Sequence, residues 1–290
     1  MGCWSGVSKP RRSALLALWG AAALIAVPAA AQEPARKGEF QPSVGQAGKD
    51  VVWVPTPDEV VEKMLDMAQV KAGERLVDLG SGDGKIAIAA AKRGARARGI
   101  EYNPDMVALS RRNAQQAGVK VDFEQGDIFK SDFRNADVVT LYLLPTLNEK
   151  LRPILLDMAP GTRVTSHQFR MGDWEPDETV TLGSRDAHLW IVPAKLQGRW
   201  QVRLNGDDAP TMELLLEQQF QMLSGQARWD GRNFTLADAR VRGRDVRFTL
   251  ADEGGAAHRF EGRIDANARF GGRLVSVSDG RTQNVMAQRR

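Results

Sequence analysis

Cysteine and histidine are scarce in this 290-residue chain, which holds one cysteine, Cys3, and three histidines. A single thiol excludes a disulfide framework and a cysteine-rich zinc site. The histidines, His167, His188 and His258, are too widely spaced to predict a metal site. Hydrophobic residues (42%) and charged residues (26%) occur at ordinary frequencies, so the composition excludes a disordered or collagen-like chain.

Lysine is absent after Lys195, and the excess of positive charge is unevenly distributed. The net charge of +4, taken alone, favours a polyanionic partner. Residues 1–31 hold three basic and no acidic side chains, residues 32–195 hold 22 and 24, and residues 196–290 hold 15 and 12. Loss of the first segment leaves a nearly neutral protein, so we expect no nucleic-acid partner. Any attraction to an acidic partner is expected in the last segment.

The N-terminus has the three-part layout of a secretory signal peptide. Lys9, Arg11 and Arg12 precede an apolar run over residues 14–27, and a run of small residues ends at Ala31. The apolar run is shorter than the roughly 20 residues that a membrane span needs. We therefore predict cleavage after Ala31, export to the periplasm and no stable membrane span. The alternatives are an uncleaved membrane anchor and a cytoplasmic protein with a misassigned start codon.

Changes in composition and residue pattern along the remaining sequence predict a linker and two domains. Residues 32–50 are polar and rich in glycine, proline and glutamine, as in a linker. Residues 51–195 alternate short apolar strands with helices, which predicts a Rossmann-like, doubly wound α/β sheet. Residues 196–290 carry turn signals at short, regular intervals and predict six or more antiparallel strands, the last of them over residues 272–277, in a small β-barrel or sandwich.

The first helix of the α/β domain is predicted to begin at Thr56. Thr56 is a favourable N-cap, Pro57 suits the first helical position, and Glu59 completes a capping box. Apolar residues then recur at helical spacing over residues 60–68.

The first strand is predicted over residues 75–79 and includes Asp78 near its end, and a glycine-rich turn with Gly80, Ser81, Gly82 and Gly84 follows it. Such a turn brings backbone N–H groups and a helix N-terminus against an anionic part of a ligand. In an open α/β sheet this is the expected ligand site. The dinucleotide fingerprint requires glycine where this chain has Lys85, which disfavours an NAD-linked oxidoreductase, and no P-loop pattern is present.

Acidic residues at or just after the ends of three strands indicate which chemical groups the ligand carries. Asp78 precedes the glycines, where its carboxylate is able to face a ligand cation. Glu101 ends the second strand, where a carboxylate binds ribose hydroxyls. Asp127 and Ile128 follow the third strand and are suited to hydrogen-bond and cover an adenine. A cation, a carboxylate, a ribose and an adenine together describe S-adenosylmethionine, so we expect this cofactor.

These motifs resemble those of the class I S-adenosylmethionine-dependent methyltransferases in order and spacing. A closer similarity, to the small protein-lysine methyltransferases of mitochondria and archaea, is carried by residues 54–57, 78–84, 101–104 and 160–166. The similarity covers about residues 51–195, half of the chain. It implies a seven-stranded sheet that ends in an antiparallel pair.

The resemblance also implies roles for individual residues. The glycine turn would hold the methionine part of the cofactor, Glu101 the ribose with Tyr102 beside it, and Asp127 with Ile128 the adenine. In that family the segment before the first helix closes over the cofactor, which brings in Thr56 and Pro57. An N-cap and first-turn proline explain the same two residues without a ligand.

The methyl acceptor is predicted to be an amine, on a protein or a small molecule. The fourth strand lacks the Asn/Asp-Pro-Pro-Tyr signature of many DNA and glutamine methyltransferases, and no cysteine after Cys3 is available as a nucleophile. A lysine acceptor must first lose its proton, and Tyr142 or Glu149, beyond the fourth strand, is placed to help hold or desolvate the lysine. Packing on the sheet is the alternative role for Tyr142. His167, at the end of the fifth strand, either orients substrate or is a core residue.

Two functions remain open from the sequence. The first is a methyltransferase whose C-terminal β domain presents or recognises the acceptor. The second is an exported nucleoside-ligand-binding protein with a non-catalytic Rossmann domain, because S-adenosylmethionine is a cytosolic metabolite and the signal peptide predicts export.

Overall fold

The computed structural model describes residues 40–50, 52–204 and 211–290. The predicted signal peptide, its cleavage site and the first part of the predicted linker lie outside the described residues. Residues from Phe40 onward form one compact unit that contains both a sheet and a barrel. No helix in the described ranges is long and apolar enough to span a bilayer.

Seven strands form a mixed sheet in the order β3-β2-β1-β4-β5-β7-β6. The first five strands are parallel, whereas β7 runs antiparallel to both β5 and β6. The strands are β1 (Arg75–Leu79), β2 (Arg96–Glu101), β3 (Asp122–Gln125), β4 (Val138–Leu141), β5 (Arg163–His167), β6 (Glu178–Leu182) and β7 (Arg185–Ile191). This is the Rossmann-like sheet, with a terminal antiparallel pair, that the sequence predicts.

Four helices cover the two faces of the sheet: α1 (Asp58–Met67), α2 (Lys85–Lys92), α3 (Pro104–Gln116) and α4 (Pro145–Leu156). Alternate residues of β1 serve the two faces, as the pleat of a strand requires. Leu76 joins a core with α1, α2 and α3, and Val77 and Leu79 join a core with α4. Burial on both faces explains why β1 reads as a continuous apolar run.

The predicted cap of α1 is wrong by one residue. Pro57, in extended conformation, occupies the N-cap position, and no side chain caps the helix. The hydroxyl of Thr56 lies instead 3.3 Å from Nδ1 of His167, on β5. The Thr56 side chain, which local sequence preference assigns to the helix cap, therefore makes a tertiary contact instead.

The chain reverses its direction across the sheet between β1 and β4. Strands β1, β2 and β3 follow one another outward on one side, and β4 then pairs with the free edge of β1. The loops after β1 and β4 therefore leave in opposite directions and open a crevice at the carboxyl ends of these strands. Open α/β sheets bind their ligands at such a switch point.

Eight further strands close into an antiparallel barrel, in the order β10-β11-β12-β13-β14-β15-β8-β9. They are β8 (Gly198–Leu204), β9 (Met212–Gln219), β10 (Met222–Trp229), β11 (Arg232–Arg242), β12 (Asp245–Ala251), β13 (Ala257–Ile264), β14 (Phe270–Ser276) and β15 (Thr282–Arg289). The structure thus selects a barrel over a sandwich. The barrel interior is filled by apolar side chains, and the ring of Phe270 packs 4.8 Å from that of Trp200 and 5.5 Å from that of Phe260.

The barrel contacts the sheet through two of its hairpin turns. Gly243, between β11 and β12, accepts a hydrogen bond from the backbone N–H of Ala194. Gln221, between β9 and β10, donates one to the backbone oxygen of Glu175. The predicted domain boundary at residues 195/196 lies between β7 and β8, and the division into independent domains stays a prediction.

Candidate functional site

A cavity of about 610 Å³ lies at the carboxyl ends of β1, β2 and β4. Its volume is within the range of small-molecule sites, about 300 to 1,000 Å³. Predicted site residues that line it are Thr56, Asp78, Gly80, Ser81, Gly82, Glu101, Tyr102, Asp127, Ile128 and Tyr142. Two predicted residues, Pro57 and Gly84, do not line it.

The turn after β1 forms the floor of the cavity. Gly80 (φ +72°) and Gly82 (φ +55°) adopt left-handed conformations, which L side chains seldom occupy. The hydroxyl of the buried Ser81 has no hydrogen-bond partner in the described part of the chain. Buried polar atoms normally have a partner. This turn therefore presents bare backbone to the cavity, as a site for a polar ligand requires.

Gly84 has a packing role instead. It lies at the N-cap of α2 with φ +84°. A Cβ atom at this position would be 2.5 Å from Cζ of Phe123, on β3. The third glycine of the motif thus lets α2 approach the sheet and does not contact the cavity.

Asp78 is the most deeply buried acid of the site, with 2% of its surface exposed. Burial raises the pKa of its carboxyl group to about 7, although the hydrogen bond donated by the Thr140 hydroxyl opposes this rise. The nearby carboxylates of Asp83 and Glu101 raise the pKa further. A cationic group of a ligand in the cavity would find a carboxylate whose negative charge has no cationic partner among the described residues.

Glu101 is held rigidly at the end of β2. Its two carboxylate oxygens accept hydrogen bonds from the backbone N–H groups of Gly82 (3.0 Å) and Asn103 (2.9 Å). A carboxylate has about four acceptor positions, so two remain for hydroxyl groups of a ligand. The neighbouring Tyr102 is half exposed, and its ring lies 4.8 Å below the ammonium group of Lys49.

Asp127 is already engaged by the protein. Its Oδ1 accepts a hydrogen bond from the backbone of Phe129, and its Oδ2 lies 2.9 Å from the ammonium group of Lys49. The hydrogen bond from Lys49 lowers the pKa of Asp127, and the same bond raises the pKa of Lys49. A ligand that hydrogen-bonds to Oδ2 of Asp127 must share it with Lys49 or displace Lys49.

The described residues before α1, 46–50 and 52–56, cover the cavity and are named here the strap. Its Trp53 lies against the glycine turn, with the indole nitrogen 3.0 Å from the place of a Cβ on Gly82. Sequence reasoning missed Lys49 because it assigned residues up to 50 to a linker, and it missed Trp53 because no motif marked this residue. The signal that pointed to this segment was the similarity at residues 54–57.

The opposite end of the cavity is aromatic and apolar. Tyr142, after β4, lies beside Phe169 with ring centroids 6.2 Å apart, and Leu143, Leu144 and Leu147 complete this wall. The Tyr142 hydroxyl has no hydrogen-bond partner among the described residues. Glu149, the other predicted acceptor-side residue, is exposed and does not line the cavity.

His167 supports this wall from behind. It is buried, does not line the cavity, and its ring centroid is 3.9 Å from that of Tyr142. Burial lowers the pKa of His167 to about 4, so the ring is neutral at physiological pH. The structure thus gives His167 a place between Tyr142 and the strap residue Thr56, and no contact with the cavity.

Phe169 belongs to the β5–β6 loop, residues 168–177, which sequence reasoning passed over. Gln168 has φ +67°, an unusual conformation for this residue, and the sharp turn directs the chain to Phe169. The backbone oxygen of Phe169 accepts hydrogen bonds from the side chains of Ser166 (2.7 Å) and Asn148 (3.2 Å). No local sequence signal marks this residue, because its place depends on contacts distant along the chain.

The cavity therefore has a polar, acidic end at Glu101 and Asp127, a buried acid at Asp78, and an apolar aromatic end at Tyr142 and Phe169. Within residues 40–50, 52–204 and 211–290, no cluster of three or more His, Cys, Asp or Glu side chains is arranged to hold a metal ion. The residues fit S-adenosylmethionine, because the acids and the bare glycine turn match its ribose, adenine and methionine groups.

Comparison with known proteins identifies related enzymes. Residues 78–178 match the family described as the ANTKMT methyltransferase domain. A protein-lysine N-methyltransferase of Saccharolobus islandicus is 40% identical over 135 residues, which cover 45% of this chain and 84% of that protein. The adenine nucleotide translocase lysine N-methyltransferase of Mus musculus is 36% identical over 138 residues, which cover 46% of this chain and 60% of the mouse protein.

A solved structure is also similar to this chain. It is described as an RNA methyltransferase from Salinibacter ruber in complex with S-adenosyl-L-homocysteine. The two chains are 52% identical over 49% of this chain and 96% of the other, with a TM-score of 0.48.

Proposed function

The chain belongs to the class I S-adenosylmethionine-dependent methyltransferases, among the small protein-lysine N-methyltransferases, and from this membership we propose that it methylates a lysine side chain of a protein. The observation that carries the proposal is the polarity of the cavity. Its acidic end suits the nucleoside of the cofactor, and its aromatic end suits the alkyl chain and amine of a lysine.

S-adenosylmethionine supplies, when bound, a sulfonium methyl carbon that a neutral amine is able to attack in line with the departing sulfur. The protein contributes orientation and exclusion of water, which are the main requirements of such a displacement. Asp78, once ionised, is placed to bind the ammonium group of the methionine part. Glu101 is placed to accept the ribose hydroxyls.

The aromatic end favours the neutral form of an acceptor lysine. Burial against Tyr142, Phe169 and the leucines of this wall removes water from the ammonium group and lowers its pKa. The unpartnered hydroxyl of Tyr142 is able to accept a hydrogen bond from the amine and orient its lone pair. The described lining at this end includes no carboxylate that would stabilise the charged lysine.

Methyl transfer from isotopically labelled S-adenosylmethionine to poly-L-lysine tests the proposal directly. Poly-L-arginine is the matched control polymer, and total RNA is included as an acceptor of a different class. We expect label on poly-L-lysine alone. Label on RNA and not on lysine would overturn the proposal.

A pair of variants separates binding from transfer. Asp78→Asn should weaken cofactor binding in isothermal titration, whereas Asp105→Asn, an exposed residue outside the cavity, should bind as the wild type does. Binding of S-adenosylmethionine without transfer to any of the three acceptors would favour a non-catalytic binding protein.

We propose that the mature protein is exported to the periplasm after cleavage behind Ala31. This proposal is supported by the sequence of residues 1–31 alone. Cell fractionation with N-terminal sequencing tests it, and a new N-terminus at Gln32 in the periplasmic fraction is expected. An intact N-terminus in the cytosol would contradict the proposal.

A further inference from the structure

The β9–β10 turn of the barrel is fitted closely against the β5–β6 loop. Gln221, only 3% exposed, donates from Nε2 to the backbone oxygen of Glu175 at 2.7 Å. The ring of Phe220 stacks on that of Trp174, with centroids 6.2 Å apart and an interplanar angle of 23°. Phe220 has φ +53°, a conformation that a two-residue hairpin turn requires at this position although it is unfavourable for an aromatic residue.

Arg152, on α4, contacts both this turn and the middle of the β5–β6 loop. The guanidinium group of Arg152 lies 5.3 Å from the centre of the Phe220 ring and donates a 2.8 Å hydrogen bond to the backbone oxygen of Met171. It also pairs with Asp173. Two residues before Met171, Phe169 lines the aromatic end of the cavity. A continuous set of contacts therefore joins the barrel to the cavity wall.

At the C-terminal end of the loop, the negative charge of Asp177 is paired with a positively charged residue of the barrel. The side chain of Asp177 is 1% exposed, and its Oδ1 accepts a 2.7 Å hydrogen bond from Arg240, on β11. Its Oδ2 accepts the backbone N–H of Ile191 at 2.8 Å. A buried carboxylate that loses its cationic partner is strongly unfavourable. The loop and the barrel thus stabilise one another.

We propose that the β9–β10 turn positions the β5–β6 loop and thereby holds Phe169 at the acceptor end of the cavity. Gln221 and Phe220 are positioning residues, and the barrel thereby supports the wall of the acceptor site. The two relatives described above match less than half of this chain. The inference rests on the proposed function only for the identity of the aromatic end as the acceptor end.

Gln221→Met tests the proposal, because it keeps the shape of the side chain and removes the N–H donor to Glu175. Hydrogen–deuterium exchange of a peptide covering residues 168–177 should become about tenfold faster. The KM for poly-L-lysine should rise about fivefold, with a smaller change in kcat and an unchanged dissociation constant for S-adenosylmethionine. Phe220→Leu, which removes the stacking on Trp174, should act in the same direction.

Leu274→Val is the matched control, because it loosens the barrel core on β14, away from the loop. It should lower the melting temperature without changing exchange in residues 168–177 or the KM. Equal effects of Leu274→Val and Gln221→Met on loop exchange and on the KM would overturn the proposal. Unchanged exchange of residues 168–177 in Gln221→Met would also overturn it. So would faster exchange of these residues in Gln221→Met with unchanged KM and kcat. If the wild type does not methylate poly-L-lysine, the proposed function fails and the exchange result alone decides the positioning.

Discussion

The hydroxyl of Thr140 donates a 2.7 Å hydrogen bond to Oδ1 of Asp78, directly across the β1–β4 pair. This bond is insufficient to keep the carboxylate ionised, because burial raises the pKa of Asp78 to about 7. The folded protein therefore binds a proton at Asp78 that the unfolded chain has released above pH 4. The consequence is a stability that depends on pH in a predictable direction.

Asp78→Asn should stabilise the protein, free of cofactor, increasingly as pH rises from about 4 to about 7. The native proton on Asp78 favours the folded state below the unfolded pKa, and this contribution is lost as pH rises through the folded pKa. The excess in free energy of unfolding of the variant over the wild type should grow with pH and reach on the order of 4 kcal/mol above pH 7, because one unit of pKa shift corresponds to about 1.4 kcal/mol. Urea denaturation at several pH values measures it, with Asp105→Asn as the control. A difference that does not change with pH would contradict the prediction.

Lys49→Met should increase the association rate of S-adenosylmethionine. The contact between Lys49 and Asp127 helps to hold the strap over the cavity and occupies an oxygen that the adenine is expected to use. Stopped-flow fluorescence is suited to the measurement because Trp53 lines the cavity. Lys63→Met, a lysine of α1 outside the cavity lining, is the control. A slower or unchanged association rate would show that the contact does not restrict entry.

Tyr142→Phe should reduce kcat/KM for poly-L-lysine about fivefold to tenfold, the loss of about one hydrogen bond, without changing cofactor affinity. The ring contacts with His167 and Phe169 survive in the variant, so only the hydroxyl is tested. Methyl transfer and isothermal titration supply the two measurements. Full activity in Tyr142→Phe would leave Tyr142 with a packing role alone.

Phe270→Ala should destabilise the barrel by about 3 to 5 kcal/mol, because it leaves a cavity beside Trp200 and Phe260. Met286→Ala, on the neighbouring strand but 53% exposed, should cost less than about 0.5 kcal/mol. Denaturant unfolding followed by tryptophan fluorescence compares the two. Similar losses in both variants would contradict the closely packed barrel core.

The sequence predicted most of the sheet because local signals agreed with the tertiary fold. The bounds of β1 were predicted to the residue, since a buried parallel strand is a continuous apolar run and a glycine turn ends it. In the barrel, β15 was missed. Only Val285 and Ala287 of its residues are buried, so its apolar pattern is too sparse to recognise.

The polar end of the cavity was predictable and its cover was not. Asp78, Glu101 and Asp127 follow strands, and the switch in strand order brings such positions together. Lys49, Trp53 and Phe169 lie in irregular segments whose places are set by contacts far along the chain. Thr56 illustrates the same limit, because its contact with His167 overrides its local preference for a helix cap.

The seam that closes the barrel joins β15 to β8, so Arg289 pairs with Trp200. A nascent chain therefore has no closed barrel until residues 282–289 have left the ribosome, whereas the seven strands of the sheet are complete once Ile191 has emerged. During synthesis the sheet is free to fold before Arg240, the ion-pair partner of the buried Asp177, has been made. The order of translation thus allows the sheet to form before the barrel that β15 closes.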